Sequence, residues 1–311
     1  MSIQFLLIAM TEIADNIRIT GIFTRKDAVA SGAFFTIAKE ILSGMKFIVF
    51  LLVLILLFML AYPLVSSLEF FREVPVSNWM SFEWDPDEDS YGMLVPLTGS
   101  MLMVLVTLPM ALMLGWVLSL QLVDNKKSWL NPVIVAILEV WISLPSVIIG
   151  VWAIIEIIPL VREVFGGNGY SLLAASVGMT IFITPICTLL LYRSYLSHLD
   201  QFHGLESSFQ MSPLSRSELF IKSQPTAVIG TINYIFCRIF GETMVVLMLS
   251  GNSLQIPSSF LDSFRTLTAN IALEMSYAGG MHETALFAMA SIAIIIIMTV
   301  LLVQYRRLIN V

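Results

Sequence analysis

Residues 47–65 read FIVFLLVLILLFMLAYPLV, an unbroken apolar run with no Asp, Glu, Lys or Arg. A helix rises 1.5 Å per residue, so about 20 such residues cross a hydrocarbon core of roughly 30 Å. The same ruler marks five more segments, at about 93–123, 132–159, 171–192, 226–249 and 284–305, after a first span at about 46–65. The charged fraction is 12% and the apolar fraction 58%, against roughly 25% charged residues in a soluble domain. Mean hydropathy is +0.89. A soluble globular enzyme is excluded on these grounds, and lipid is the default solvent. The net charge of −6 offers no basic surface to nucleic acid. The expected class is an all-α membrane protein with six transmembrane helices.

The distribution of Lys and Arg orients the spans. Twelve lie in the N-terminal tail, the loops after spans two and four, and the C-terminus, whereas the opposite loops hold three, Arg72, Arg162 and Arg265. Both termini are therefore expected in the cytoplasm. The chain then divides into a cytoplasmic amphipathic segment at 1–45, a first span with an acidic external loop at 46–92, and a core at 93–311. Within 1–45, Ile13, Ile17, Phe34, Phe35, Ile37, Ile41 and Leu42 suggest helices lying on the membrane; a partly ordered tail is the other reading. The run Phe5 to Met10 is too short to span, and its flanks do not read as a cleaved signal peptide. The external loop carries Glu69, Glu73, Glu83, Asp85, Asp87, Glu88 and Asp89. It reads as solvated, since WDPDEDSYG lacks the spacing of an EF-hand. Cys187 and Cys237 sit in apolar runs and read as small core residues, with no metal-like spacing.

Ionisable groups inside a membrane are costly and usually functional. Glu139 in span three, and Arg238 with Glu242 in span five, are the candidates. Arg238 and Glu242 are four residues apart, which places them on one helical face within pairing distance. Gly241 beside them admits a close neighbour. The pair is either a self-neutralising bridge or a fixed positive charge offered to an anion, with Glu242 tuning it. Pro145 and Gly150 are expected to interrupt span three, and Pro185 span four, leaving backbone groups that need protein or a wet path. Between residues 196 and 225 a long loop contains Ser212-Pro213, which reads as a helix start, and Ser215 with Glu218 at capping-box spacing. A short helix, a turn and a second helix entering span five follow from it, either as a docking surface or as a connector. His198, His203 and His282 are scattered, and no HExxH, GxSxG or P-loop pattern occurs. Any ATP-driven step needs its nucleotide site on another chain.

Several motifs together resemble one family. RIFGETMVVLMLSGN (238–252) is similar to the Arg-x-x-Gly-Glu-Thr-Met-Ala-Val…Gly-Asn stretch of PstC-like permease subunits of bacterial phosphate ABC importers, with Val245 in place of Ala. LPSVIIGVWAIIEIIPL (144–160) resembles the family's Ile-Pro-Ser-Val-Val-Tyr-Gly segment, with Ile149 replacing the aromatic residue. WDPDEDSYGMLVPLTGS (84–100) and TLTANIALEMSYAGGMHETALFAMA (266–290) resemble its approaches to spans two and six. The likeness covers roughly 46–310. The cytoplasmic Glu-Ala-Ala…Gly…Pro motif is present in altered form: Glu206, then Ser207 and Ser208 for Ala-Ala, Ser212 for Gly, and Pro225.

The resemblance implies a type I ABC importer permease fold in the bacterial cytoplasmic (inner) membrane. It implies a second, PstA-like permease subunit, two PstB-like ATPase subunits and a periplasmic or lipid-anchored PstS-like binding protein. No cofactor is expected on this chain, because ATP is used by the partner ATPase. Arg238 would offset dehydration of phosphate, Glu242 would hold Arg238 and keep binding weak, and Thr243 would donate a hydrogen bond. Glu206, Ser207, Ser208, Ser212 and Pro225 would form the elbow seated in the ATPase. A permease for molybdate, tungstate or sulfate is the nearest alternative; an ATP-independent secondary transporter or channel is one from another class.

Overall fold

The structure is a computed structural model that describes residues 25–125, 128–201 and 213–309, with side chains over most of 46–306. Apart from one hairpin of two-residue strands, its elements are helices, as lipid requires of backbone that must satisfy its own hydrogen bonds. The described chain divides between Ala61 and Tyr62 into two units.

Helix α1 (Arg25–Ser66) spans both units. From Lys46 to Ala61 its apolar side chains are exposed on every side. That stretch has no hydrophilic face to give to water, and its surroundings are lipid or another chain.

In the second unit, the short helices α2 (Leu68–Glu73) and α3 (Val76–Trp79) lead to the acidic hairpin. Strand β1 (Trp84–Asp85) pairs antiparallel with β2 (Ser90–Tyr91) around a 3-10 turn at Pro86–Glu88. Asn78 pins the hairpin, donating to the Asp89 carbonyl and accepting from the Tyr91 N–H at 2.9 and 2.8 Å. Asp89 hydrogen-bonds the Tyr91 hydroxyl, and burial, with that carboxylate's help, raises the phenol's pKa.

Helix α4 (Leu94–Asp124) follows. Its buried stripe, Gly99, Ser100, Met103, Thr107, Ala111, Gly115 and Ser119, is mostly small, so neighbouring backbones approach closely. Next come α5 (Leu130–Ser143) and α6 (Ser146–Phe165), bent by 97° at Leu144–Pro145. Pro145 lacks an N–H, and its ring forces Leu144 into extended backbone at φ −67°, ψ 136°. The expected interruption of span three is there. Gly150, however, lies inside α6, where a Cβ would sit 2.4 Å from Met248 Sδ; it is a close-packing position and does not break the helix.

Helix α7 (Leu172–Gln201) is the most enclosed long helix, with 83% of its apolar window buried. Pro185 does not interrupt it. Thr180, Thr184 and Thr188 hydroxyls donate to the carbonyls four residues back at 2.7, 2.7 and 2.8 Å, and dense packing holds the helix through the proline. Helix α8 (Pro213–Ser223) starts at the expected Pro213, and α9 (Pro225–Phe240) follows after Gln224. Glu218 sits inside α8 and pairs forward with Lys222 at 2.7 Å, so the capping-box spacing with Ser215 marks no second helix start. Phe220, fully buried, stacks on Tyr195 of α7 with centroids 4.5 Å apart, which ties the elbow to the core.

The chain then forms α10 (Met244–Leu249), α11 (Leu267–Glu274) and α12 (Met281–Ile309). Four described helices are long and apolar enough to cross a membrane, and the bent pair α5–α6 makes a fifth if it counts as one span. This is a multi-pass membrane protein. The expected span at 226–249 is instead divided: α9 has 16 residues and covers about 24 Å, less than a bilayer core.

Candidate functional site

The division of that span creates the site. Gly241 caps α9, and a Cβ there would crowd the Cys237 carbonyl oxygen at 3.2 Å. Glu242 and Arg238 are therefore not on one helical face, because the helix ends between them. They still meet: Arg238 Nη1 donates to Glu242 Oε2. The guanidinium also lies over the Phe182 ring of α7, 4.8 Å from its centroid, where the ring's negative face attracts it.

The two partners differ in surroundings. Glu242 is 3% exposed and Arg238 32%. Glu242 Oε1 faces the Val245 N–H at 3.5 Å, so the carboxylate sits at the positive end of α10. Its backbone carbonyl accepts from the Thr268 hydroxyl at 2.9 Å. Glu242 is thus anchored from three directions, and Arg238 keeps donors on its open side. Thr243 is half-buried at the N-cap of α10 and makes no side-chain cap bond. The structure brings Arg238, Gly241, Glu242 and Thr243 together at one break.

Beyond α10 the chain turns through Gly251 and Asn252, both left-handed at φ 76° and 55°. The Asn252 side chain donates to the Leu247 carbonyl at 2.8 Å and closes the helix. This explains the Gly-Asn that ends the motif: the turn needs residues that tolerate positive φ. A polar cavity of about 460 Å³ lies nearby, lined by Gly169, Ser253, Ser258 and Asp262, and it does not include Arg238.

A second charged cluster escaped the sequence reading. Glu274 is 7% exposed and accepts from Arg265 Nη1 at 2.8 Å, Trp84 Nε1 at 2.9 Å and, on its other oxygen with Trp84, meets His282 Nε2 at 2.9 Å. Arg265 also donates to the Asn252 carbonyl and to Asn270 Oδ1, each at 2.9 Å. Arg265 and His282, read as loop residues, are clamp members that join the acidic hairpin to α11, α12 and the turn after α10. One signal was available: Glu274 is a lone acid in the apolar stretch ANIALEM.

Glu139 is exposed and pairs with Arg193 of α7 at 2.6 Å. Pro225 opens α9 at its first turn, as a proline without N–H should. Glu206, Ser207, Ser208 and Ser212 lie outside the described residues. Among the described residues, no three His, Cys, Asp or Glu side chains are grouped to hold a metal.

No family model matches the chain. It is 24% identical over 284 residues to the phosphate transport system permease protein PstC of Haemophilus influenzae, covering 84% of this chain and 89% of that one. The PstC protein of Xylella fastidiosa strain 9a5c is 24% identical over 258 residues, 76% of this chain and 79% of its own. The probable ABC transporter permease protein YqgH of Bacillus subtilis is 25% identical over 241 residues, 74% and 77%. The likeness to PstC-type ABC permeases, read first from spaced motifs, extends over most of the chain.

Proposed function

We propose that this chain is a permease subunit of an ATP-driven importer that carries inorganic phosphate across the cytoplasmic membrane. The observation that carries the reading is the Arg238–Glu242 pair at the Gly241 break, in a chain whose relatives are named phosphate transport permeases. Phosphate leaving water loses hydration worth many kcal/mol, and a fixed, partly exposed guanidinium offsets part of that loss. Glu242, held at the start of α10, keeps Arg238 aimed and prevents it from binding phosphate too tightly. Thr243 adds a hydroxyl donor.

The full fold in this reading has six membrane segments, the bent α5–α6 pair and the divided α9–α10 pair each counting as one, with both termini in the cytoplasm. A PstA-like permease completes the path. Two PstB-like ATPases use the ATP, and a PstS-like protein delivers phosphate from outside. The elbow, with Pro225 and residues 206–212, transmits closure of the ATPase through α8, whose Phe220 is already stacked on α7. Uptake of labelled phosphate in cells lacking other phosphate importers tests this. Uptake that needs the chain, falls with Arg238→Ala while the complex still assembles, and resists competition by molybdate, tungstate or sulfate supports it. Normal uptake by Arg238→Ala removes the substrate-path role.

A further inference from the structure

Arg193 and Glu139 form a third guanidinium–carboxylate pair, which joins α7 to α5. On α7, Phe182, Ile186, Leu190 and Arg193 follow one another at helical spacing. Phe182 carries the Arg238 guanidinium, and the other three line a cleft of about 320 Å³ together with Glu139 and Tyr234. Tyr234 is one turn before Arg238 on α9, so cleft and Arg238 share one strip. Phe182 and Arg193 are eleven positions apart, about 16 Å along the axis of α7. α7 continues from Arg193 to Gln201 and α9 begins at Pro225. Arg193 thus lies toward the end of the strip from which the elbow leaves.

The cleft suits an anion. Among the described residues, the Arg193 guanidinium makes one hydrogen bond, from Nη2 to Glu139 Oε1, out of five possible donors. The two side chains are 65% and 51% exposed, so an exchanging ion can reach both. As a bridge alone, such an open pair contributes little to stability. Most of the remaining lining is apolar, with Ile142, Ile186 and Leu189 beside the charges.

We propose that Arg193 is a second phosphate-binding station, inward of Arg238, and that Glu139 is the competing anion that displaces phosphate from it. Phosphate exchanges with the Glu139 carboxylate on the guanidinium, and Tyr234 supplies a hydroxyl donor at the cleft wall. The two arginines meet α7 at positions eleven residues apart, and the stations act in sequence. This inference rests on the phosphate reading above.

Membrane vesicles containing the assembled transporter test it, with radiolabelled inorganic phosphate as the probe. Two quantities are read: initial uptake with ATP, and label retained at equilibrium without it. Arg193→Gln should lower uptake tenfold or more and lower retention, and Arg193→Lys should fall between it and the parent. Glu139→Gln should do the opposite to retention, raising it severalfold, while slowing uptake because release is slower. Glu139→Gln is nearly isosteric at an exposed position, and co-purification of the partner subunits confirms assembly of each variant. Equal losses in both variants, restored by the charge swap Glu139→Arg with Arg193→Glu, would identify a structural bridge and overturn the proposal. Unchanged uptake and retention in Arg193→Gln would also overturn it. Absence of phosphate uptake by the parent protein defeats the phosphate reading itself; uptake lost in Arg238→Ala but normal in Arg193→Gln defeats the second station alone.

Discussion

Glu242 reaches Arg238 across the end of α9, not along a continuous helix, and the buried carboxylate holds the half-exposed guanidinium against Phe182. The break at Gly241 supplies what a continuous helix could not. It puts the carboxylate at the start of α10 and leaves the open side of the cation free of helix. Arg238→Lys keeps the charge but loses the planar fork that fits an oxyanion. Phosphate uptake by that variant is expected to fall about tenfold, equivalent to about 1.4 kcal/mol, with assembly of the complex unchanged on size-exclusion chromatography.

Glu274 is the hub of the clamp on the acidic hairpin. Truncation to Ala leaves Arg265, mostly buried, without its carboxylate and strands the Trp84 N–H. The expected loss of stability is about 3–5 kcal/mol. Thermal unfolding of the detergent-solubilised complex measures it, and Glu274→Gln should lose less because one oxygen can still accept.

Two glycines should respond differently to the same methyl group. A Cβ at Gly99 would lie 2.2 Å from the Arg265 carbonyl oxygen, which is backbone and cannot swing away, whereas at Gly150 it meets the flexible sulfur of Met248 at 2.4 Å. Gly99→Ala is expected to cost about 1–3 kcal/mol or more by overpacking. Gly150→Ala should cost less, and adding Met248→Ala should recover part of its loss. Melting temperatures of the three variants settle the order.

Asp262 lies in the loop after α10, where the Ser258 hydroxyl, then the Ser259 and Ser258 N–H groups, hold its pKa below the usual carboxylate value. The depressed folded-state value means that the loop's extra stability is present above the unfolded pKa, about 3.9. It is lost as pH falls through the folded value. Hydrogen exchange of the Ser258 and Ser259 amides should therefore stay slow at neutral pH and lose protection below about pH 4, after correction for the intrinsic rate. Asp262→Asn should remove that pH dependence.

Phe220 joins the elbow to α7 by stacking on Tyr195. Phe220→Ala is expected to cost about 3–5 kcal/mol locally. In the proposed importer it should lower phosphate uptake more than ATP hydrolysis. Parallel assays of both activities in vesicles check this, and an equal fall in the two would place Phe220 in general stability instead of coupling.

Much of this was legible in the order of residues because it is local. Apolar runs longer than a bilayer is thick announce lipid as solvent. Pro145 announces a break because its ring restricts the residue before it, and Glu242 stays within reach of Arg238 because the chain between them is short, although the helix ends there. Pro185 shows the limit of that logic: it has the same chemistry as Pro145, yet α7 passes through it, since packing on all sides outweighs one missing N–H. Glu274 meets Trp84 across 190 residues and Arg193 meets Glu139 across 54. No spacing rule reaches that far. In lipid, an apolar helix face does not reveal which neighbour it meets, because hydrocarbon and another apolar face are nearly equivalent. The sequence by itself determined the solvent, the segments and the motif that carries the charge. Only the tertiary structure decided which breaks are real, which charges are shared between helices, and that Arg238 and Arg193 stand on one strip, because those depend on how close-packed helices choose their partners.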